Sequence, residues 1–331
     1  VIFFGGGLGI PIGIPPGPED PRLARMAPEE CLYFTTWAGT AAADPNSLNA
    51  TERLFAEPEI RTFVTETERR LRLSLNQMAA QSGSDEAVLM AQIGPDLVKL
   101  LLTRPTAIFV SRFDVNPGGP DLAGVLVVHV GEKQPDVQAA LQKFHRQVLR
   151  QRATEVAIDG ARFLRFQPEP QAPVFTWGLK DGYFILGAGE GAVEGVLQRA
   201  NTPAPRWLSD LQTKLPLPRR ATLTYANLER IFRIVAAQAP GPEAREVLEA
   251  TGLNQLKSYA AVTGLNKTRF VNKTLVGIDS EIDGQLDGLL NLLNAKPLGR
   301  ESLGTIPADA TMALAFRLDA KLLFDRVMNT L

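Results

Sequence analysis

The sequence predicts an α+β fold built as two related antiparallel sheet-plus-helix units, the first carrying a helical insert. Three observations carry that expectation. A proline-led, alternating phrase occurs four times: Pro28-Glu-Glu-Cys-Leu-Tyr-Phe, Pro105-Thr-Ala-Ile-Phe-Val, Pro218-Arg-Arg-Ala-Thr-Leu-Thr-Tyr and Pro307-Ala-Asp-Ala-Thr-Met-Ala-Leu. Pro28 and Pro218 are 190 residues apart and Pro105 and Pro307 are 202 apart, matched offsets that favour a tandem duplication. Finally, Asp159-Gly160 and Asp181-Gly182 sit between alternating runs. Such pairs accept the positive φ of tight turns, so they signal antiparallel hairpins.

The elements follow in order. Residues 1–21 read as a truncated hydrophobic export or anchor segment with a linker, because the apolar start is broken by Gly5-Gly6-Gly7 and by the Pro/Gly-rich run to Pro16. That run is too short and too interrupted to span a bilayer by itself. The first unit is expected over 22–203. Cys31 to Trp37 alternates as a strand. A helical insert over 47–103 follows, in which Pro58 starts a helix with Ile60, Phe63, Val64, Leu71, Leu75 and Met78 on one stripe. Ser82-Gly83-Ser84 ends it, and a second helix, Asp85 to Leu102, should be interrupted at Gly94-Pro95. Strands are expected at 106–113 and 122–130, an amphipathic helix from Pro135 to Arg152, the two hairpins, and a helix from Glu190 to Ala200. Pro203-Ala204-Pro205 marks the boundary.

The second unit, 204–331, is expected to be incomplete at its C-terminus. A strand at 221–225 leads to helices near 228–237 and 242–250, a strand pair at 258–263 and 269–278, and a helix at 286–294. The fourth phrase then gives a strand at 311–316 and a helical pattern through Leu318, Leu322, Leu323 and Val327.

Composition narrows the function classes. The chain has 331 residues, 45% hydrophobic and 21% charged, which suffices for a large core. The 35 basic and 36 acidic side chains leave a net charge of -1, against the basic excess of a nucleic-acid surface. Arg exceeds Lys, 25 to 10, a bias of genome composition rather than of function. A single cysteine, Cys31, allows neither an internal disulfide nor a cysteine metal cluster, and its strand position suits a small buried residue.

Four patterns imitate functional motifs. Gly187-Ala-Gly189-Glu-Gly191-Ala192 follows a strand and opens a helix, as a dinucleotide loop would. Its strand is the return leg of a hairpin, however, whereas the pyrophosphate site needs a parallel βαβ unit. The glycines therefore read as a tight strand-to-helix corner, and no cofactor is implied. Asp279, Glu281, Asp283 and Asp287, with Gly284, resemble a calcium loop, but the twelfth position is Leu290 and a strand enters it. A solvated acidic turn is the simpler reading, with weak calcium binding left open. His129 lies in an apolar strand and His145 beside Phe144, at no metal-ligand spacing and with no nucleophile motif nearby. No catalytic, cofactor or metal residue is assigned. Trp37, Trp177 and Trp207 stand at element ends, where core closure is the expected role and a ligand groove the other.

The phrase Pro28 to Trp37, followed by Asn49-Ala-Thr-Glu-Arg-Leu-Phe-Ala-Glu-Pro-Glu, resembles the start of large exported bacterial proteins classed only as a domain of unknown function. Pro307-Ala308-Asp309 and the hairpin at Asp181-Gly182 are similar to recurring features of that family. The resemblance spans most of 22–331 and implies export and repeated α+β units. It implies no reaction.

The leading expectation is a non-catalytic cell-envelope protein, periplasmic or extracellular, meeting a membrane only through its N-terminal segment and offering its sheet-and-helix faces to an envelope protein. The second is a carrier of an apolar ligand in a dry cavity lined by Phe63, Leu71, Phe109 and Val127. The third is a hydrolase, which needs a cleft gathering His129 or His145 with a carboxylate and a nucleophile.

Overall fold

The computed structural model, which describes residues 15–116, 119–149, 152–238, 241, 243–279 and 304, has an α+β fold. A short helix α1 (Pro21–Arg25) and strand β1 (Tyr33–Trp37) precede helices α2 (Ala50–Ala56), α3 (Pro58–Ser82) and α4 (Asp85–Thr103). Strands β2 (Thr106–Asn116) and β3 (Gly119–His129) form a hairpin. Helix α5 (Gln134–Phe144) passes into a π-helical turn, His145–Leu149. The hairpins β4 (Thr154–Ile158) with β5 (Ala161–Phe166), and β6 (Phe175–Lys180) with β7 (Tyr183–Ala188), follow. They lead to α6 (Ala192–Arg199), α7 (Arg206–Lys214) and β8 (Arg219–Ala226), and later to β9 (Leu256–Asn266) and β10 (Arg269–Ile278).

All ten strands join one sheet in the order β10-β9-β8-β1-β2-β3-β7-β6-β5-β4. Strands from both sides of residue 203 therefore share a sheet, joined where β1 pairs antiparallel with β8, Phe34 opposite Tyr225 and Thr35 opposite Thr224. About that pair the order reads β1-β2-β3 one way and β8-β9-β10 the other. Buried hydroxyl pairs cross the ladder on the face opposite Phe34, Thr35 to Thr224 at 3.0 Å and Thr222 to Thr263 at 2.7 Å. Contacts divide the chain into two units, Val1–Ala226 with Tyr259–Leu275 and Asn227–Ser258 with Val276–Leu331, a division that differs from one at 203/204.

Local chemistry explains the elements. Asp159 (φ 47°) and Asp181 (φ 50°) each precede a glycine with positive φ, the geometry that tight hairpins require. Asn49 Oδ1 accepts from Glu52 N–H at 3.0 Å and caps α2, Pro58 opens α3, and Gly83 in the left-handed region closes it. Ser84 caps α4. Helix α4 then runs uninterrupted through Gly94-Pro95, correcting the expected break. An interior proline costs about 3 kcal/mol. Packing of α4 along α3, and of Leu100 and Leu101 against the sheet, outweighs it. Helix α7 was not anticipated after Pro203-Ala-Pro205; its Leu208 and Leu211 are buried.

The first unit has a core on each face of its sheet. On one face Phe34, Phe109, Val127, Phe163 and Ile185 pack with Leu23 and Met26 of the α1 region, Val193 and Val196 of α6, and Leu208 of α7. On the other, Val128, Val130 and Val137 pack with Leu101, Leu126, Leu141 and Phe184. At Gly178 a Cβ would lie 2.6 Å from the Phe163 ring, so only glycine lets that ring lie flat on β6.

In the second unit, helices α8 (Leu228–Gln238) and α9 (Glu243–Thr251) precede a 3-10 turn, Leu253–Gln255. Lys257 bridges Glu229 (3.4 Å) and Asp279 (2.9 Å). The export segment over 1–14, the helix at 286–294, the strand at 311–316 and the helical pattern after it lie outside the described residues.

Candidate functional site

On α3, Phe63 is 68% exposed and Leu71 57% exposed, with Val64, Leu73 and Met78 also open. From α4, Val98 is 54% exposed and Met90 is open as well. Of these, Val64, Leu71, Met78, Met90 and Val98 line a groove of about 880 Å³ between the two helices, together with Leu75, Ala79, Ala91, Trp37 and Leu102. The Trp37 indole N–H donates to the Leu102 carbonyl at 2.6 Å and fixes the root of the hairpin to β1. Along the rim, Glu68 pairs with Lys99 (3.0 Å) and Arg72 with Asp96 (2.6 Å), stapling α3 to α4. Lys99, then Arg72, hold the Glu68 carboxyl below the usual carboxylate range.

Contiguous exposed apolar surface of this kind marks interaction sites on soluble proteins. The insert's root is tied to the sheet: buried Glu52 of α2 takes a bidentate pair from Arg219 of β8 (2.9 and 3.0 Å) and a hydrogen bond from Ser47 Oγ (2.5 Å). Arg219 holds the Glu52 carboxyl below its ordinary range despite burial.

A second cluster lies at the ends of β3 and β7. His129 and Tyr183 are cross-strand partners with stacked rings, centroids 4.8 Å apart. Both reach one oxygen of Asp20, His129 Nδ1 at 2.9 Å and the Tyr183 hydroxyl, which donates, at 2.7 Å. The other Asp20 oxygen caps α1 through Arg22 N–H. Burial, and then the Asp20 carboxylate, push the Tyr183 phenol well above the ordinary tyrosine range. The arrangement gives an Asp-His pair with a tyrosine in place of a nucleophile; among the described residues no Ser, Thr or Cys side chain hydrogen-bonds His129. It fastens residue 20 to the sheet.

The remaining sequence candidates fall apart from one another. His145 sits at the π-helical turn, in a cleft beside Trp177. Trp37 and Trp177 are buried, and Trp207 stacks on Tyr225 with centroids 4.6 Å apart, in keeping with core closure. Cys31 is buried, its thiol 3.1 Å from the Tyr33 carbonyl. Strand β7 is antiparallel to β3 and β6, and a Cβ at Gly189 would lie 1.7 Å from the Leu122 carbonyl oxygen, so the glycines form a close-packed corner. Phe109 and Val127 pack under α1 and α6 while Phe63 and Leu71 lie on the hairpin, so the cavity expected from those four does not form. Of the acidic turn, Asp279 pairs with Lys257, and residues 281, 283 and 287 lie outside the described residues. No group of three or more metal-ligating side chains occurs among the described residues, and no described helix is long and apolar enough to cross a membrane.

No protein-family model, curated protein or solved structure matches the chain.

Proposed function

We propose that this is a non-catalytic interaction module of the cell envelope whose α3–α4 hairpin receives an amphipathic helix from a protein partner. The open apolar groove between α3 and α4 carries the reading. A helix laid into it would cover Leu71, Met78 and Val98, each about half exposed, so that each contributes roughly half of the ~1.5–3 kcal/mol of complete burial. The staples along the rim and the Trp37 contact keep the groove formed before binding, which lowers the ordering cost of association. Placement at the envelope draws on the apolar Gly/Pro-rich run of residues 1–16 and on the resemblance to exported bacterial proteins. The binding reading, over an enzymatic one, draws on the separation of the two histidines and the commitment of His129 to Asp20.

Native mass spectrometry of the full-length protein, purified gently from its own cells, tests this. A stoichiometric protein companion is the expected result. Small-molecule mass retained without a protein would favour instead the carrier of an apolar ligand, now in the hairpin groove, whose volume falls in the ligand-site range of about 300–1,000 Å³.

A further inference from the structure

A separate cleft of about 340 Å³ opens between α5 with its π-helical turn and the outer strands β4, β5 and β6. It is built from three surfaces of different chemistry. The helix side presents Gln134, Gln138 and Gln142, spaced by four and so stacked along one row. The strand side presents Glu155 and Arg162, which lie on the same sheet face because Glu155 pairs with Leu164 and Arg162 with Ala157. Between them the floor is Trp177 and Leu164, which are themselves register partners. His145, the first residue of the π-helical turn, also lines the cleft. Single π turns of this kind concentrate at functional sites.

The three amides, the carboxylate and the guanidinium make no hydrogen bond or ion pair with any other side chain among the described residues. As lining residues, they leave their hydrogen-bonding groups open to a ligand in the cleft. Each amide offers a donor and an acceptor side by side, which is what a hydroxyl group needs, since it gives one hydrogen bond and accepts others. Glu155 and Arg162 cancel in formal charge, so the lining selects against a strongly charged ligand. The apolar floor suits a ligand with one C–H face.

We propose that this cleft binds a neutral sugar, its hydroxyls on the glutamine row and on Glu155 and Arg162, and its C–H face over Leu164 and the small part of Trp177 that stays open to the cleft. The proposal is independent of the hairpin groove. It gives the protein a second recognition surface, for a glycan.

The test uses the full chain in saturation-transfer NMR and calorimetry with glucose, galactose and N-acetylglucosamine as free sugars. At least one sugar should saturate the protein, and the double variant Gln138→Ala/Arg162→Ala should weaken that binding about tenfold or more. Both residues are exposed, so this variant should keep its fold. A Leu71→Gln variant on the hairpin should bind the sugar as the unmodified protein does. No saturation by any of the three sugars, or saturation that the double variant leaves unchanged, would overturn the proposal.

Discussion

Removing the two partners of the Glu52–Arg219 pair should have unequal costs, and the order is set by burial. The Glu52 side chain is 1% exposed and that of Arg219 is 44% exposed. Arg219→Ala strands a buried carboxylate with the Ser47 hydroxyl as its remaining side-chain partner. Stranding a buried charge costs about 3–5 kcal/mol. Glu52→Ala leaves a guanidinium that can turn to water, so its cost is the lost charge-assisted bonds and packing, about 2 kcal/mol. The two also differ in pH dependence. In the unmodified protein Arg219 lowers the Glu52 carboxyl from its ordinary value of 4.5. A depressed carboxyl contributes stability that is present above the unfolded value and is lost as the pH falls through the folded one. The Arg219→Ala deficit should therefore be full at neutral pH and shrink below pH 4.5, where protonation neutralises the stranded group. Urea denaturation of both variants at neutral pH and below pH 4.5 measures this. An equal or larger loss for Glu52→Ala, or a pH-independent deficit for Arg219→Ala, would refute the reasoning.

Four further outcomes are expected. Gly189→Ala should lose at least about 3 kcal/mol in denaturant titration, because φ is +101° and the new Cβ meets the Leu122 carbonyl oxygen. Gly83→Ala, at φ +65° in open space, should lose only about 1 kcal/mol. Asp20→Asn should bring the Tyr183 phenol down toward the ordinary range, seen as earlier ionisation in an alkaline ultraviolet titration; an unchanged titration would show burial acting alone. Leu71→Glu should leave unfolding stability within about 0.5 kcal/mol while abolishing recovery of the protein companion, because this side chain is exposed in the free protein.

The parts of the fold legible in the sequence are those fixed by near neighbours. Asp159-Gly160 and Asp181-Gly182 encode their own turns, and Ser82-Gly83-Ser84 holds both the left-handed residue that ends α3 and the cap of α4. Pairings set by tertiary packing were not legible. The β1–β8 ladder joins residues some 190 positions apart, and nothing near Phe34 points to Tyr225. Helix α7 was hidden by the prolines before it, although Leu208, Leu211 and Leu215 show its period. The α3 stripe was legible as a stripe, but amphipathicity does not say whether the covering surface belongs to the same chain. Asp20 and His129 lie on segments whose contact no spacing rule encodes. The row Gln134, Gln138 and Gln142 has a clear period of four, but a polar row reads as a solvated face until strands are seen opposite it.

The central claim is that the α3–α4 groove is occupied by a protein in the cell. Site-specific photo-crosslinking tests it most directly, with a photoreactive residue placed at Leu71 or Val98 of the full-length protein in its own cells, and at exposed Asp210 of α7 as a control. The account predicts a discrete, heavier adduct from both groove positions that is absent from the control and lost when Met90→Glu charges the groove wall. Adducts equally abundant from all three positions, or none from the groove, would contradict it.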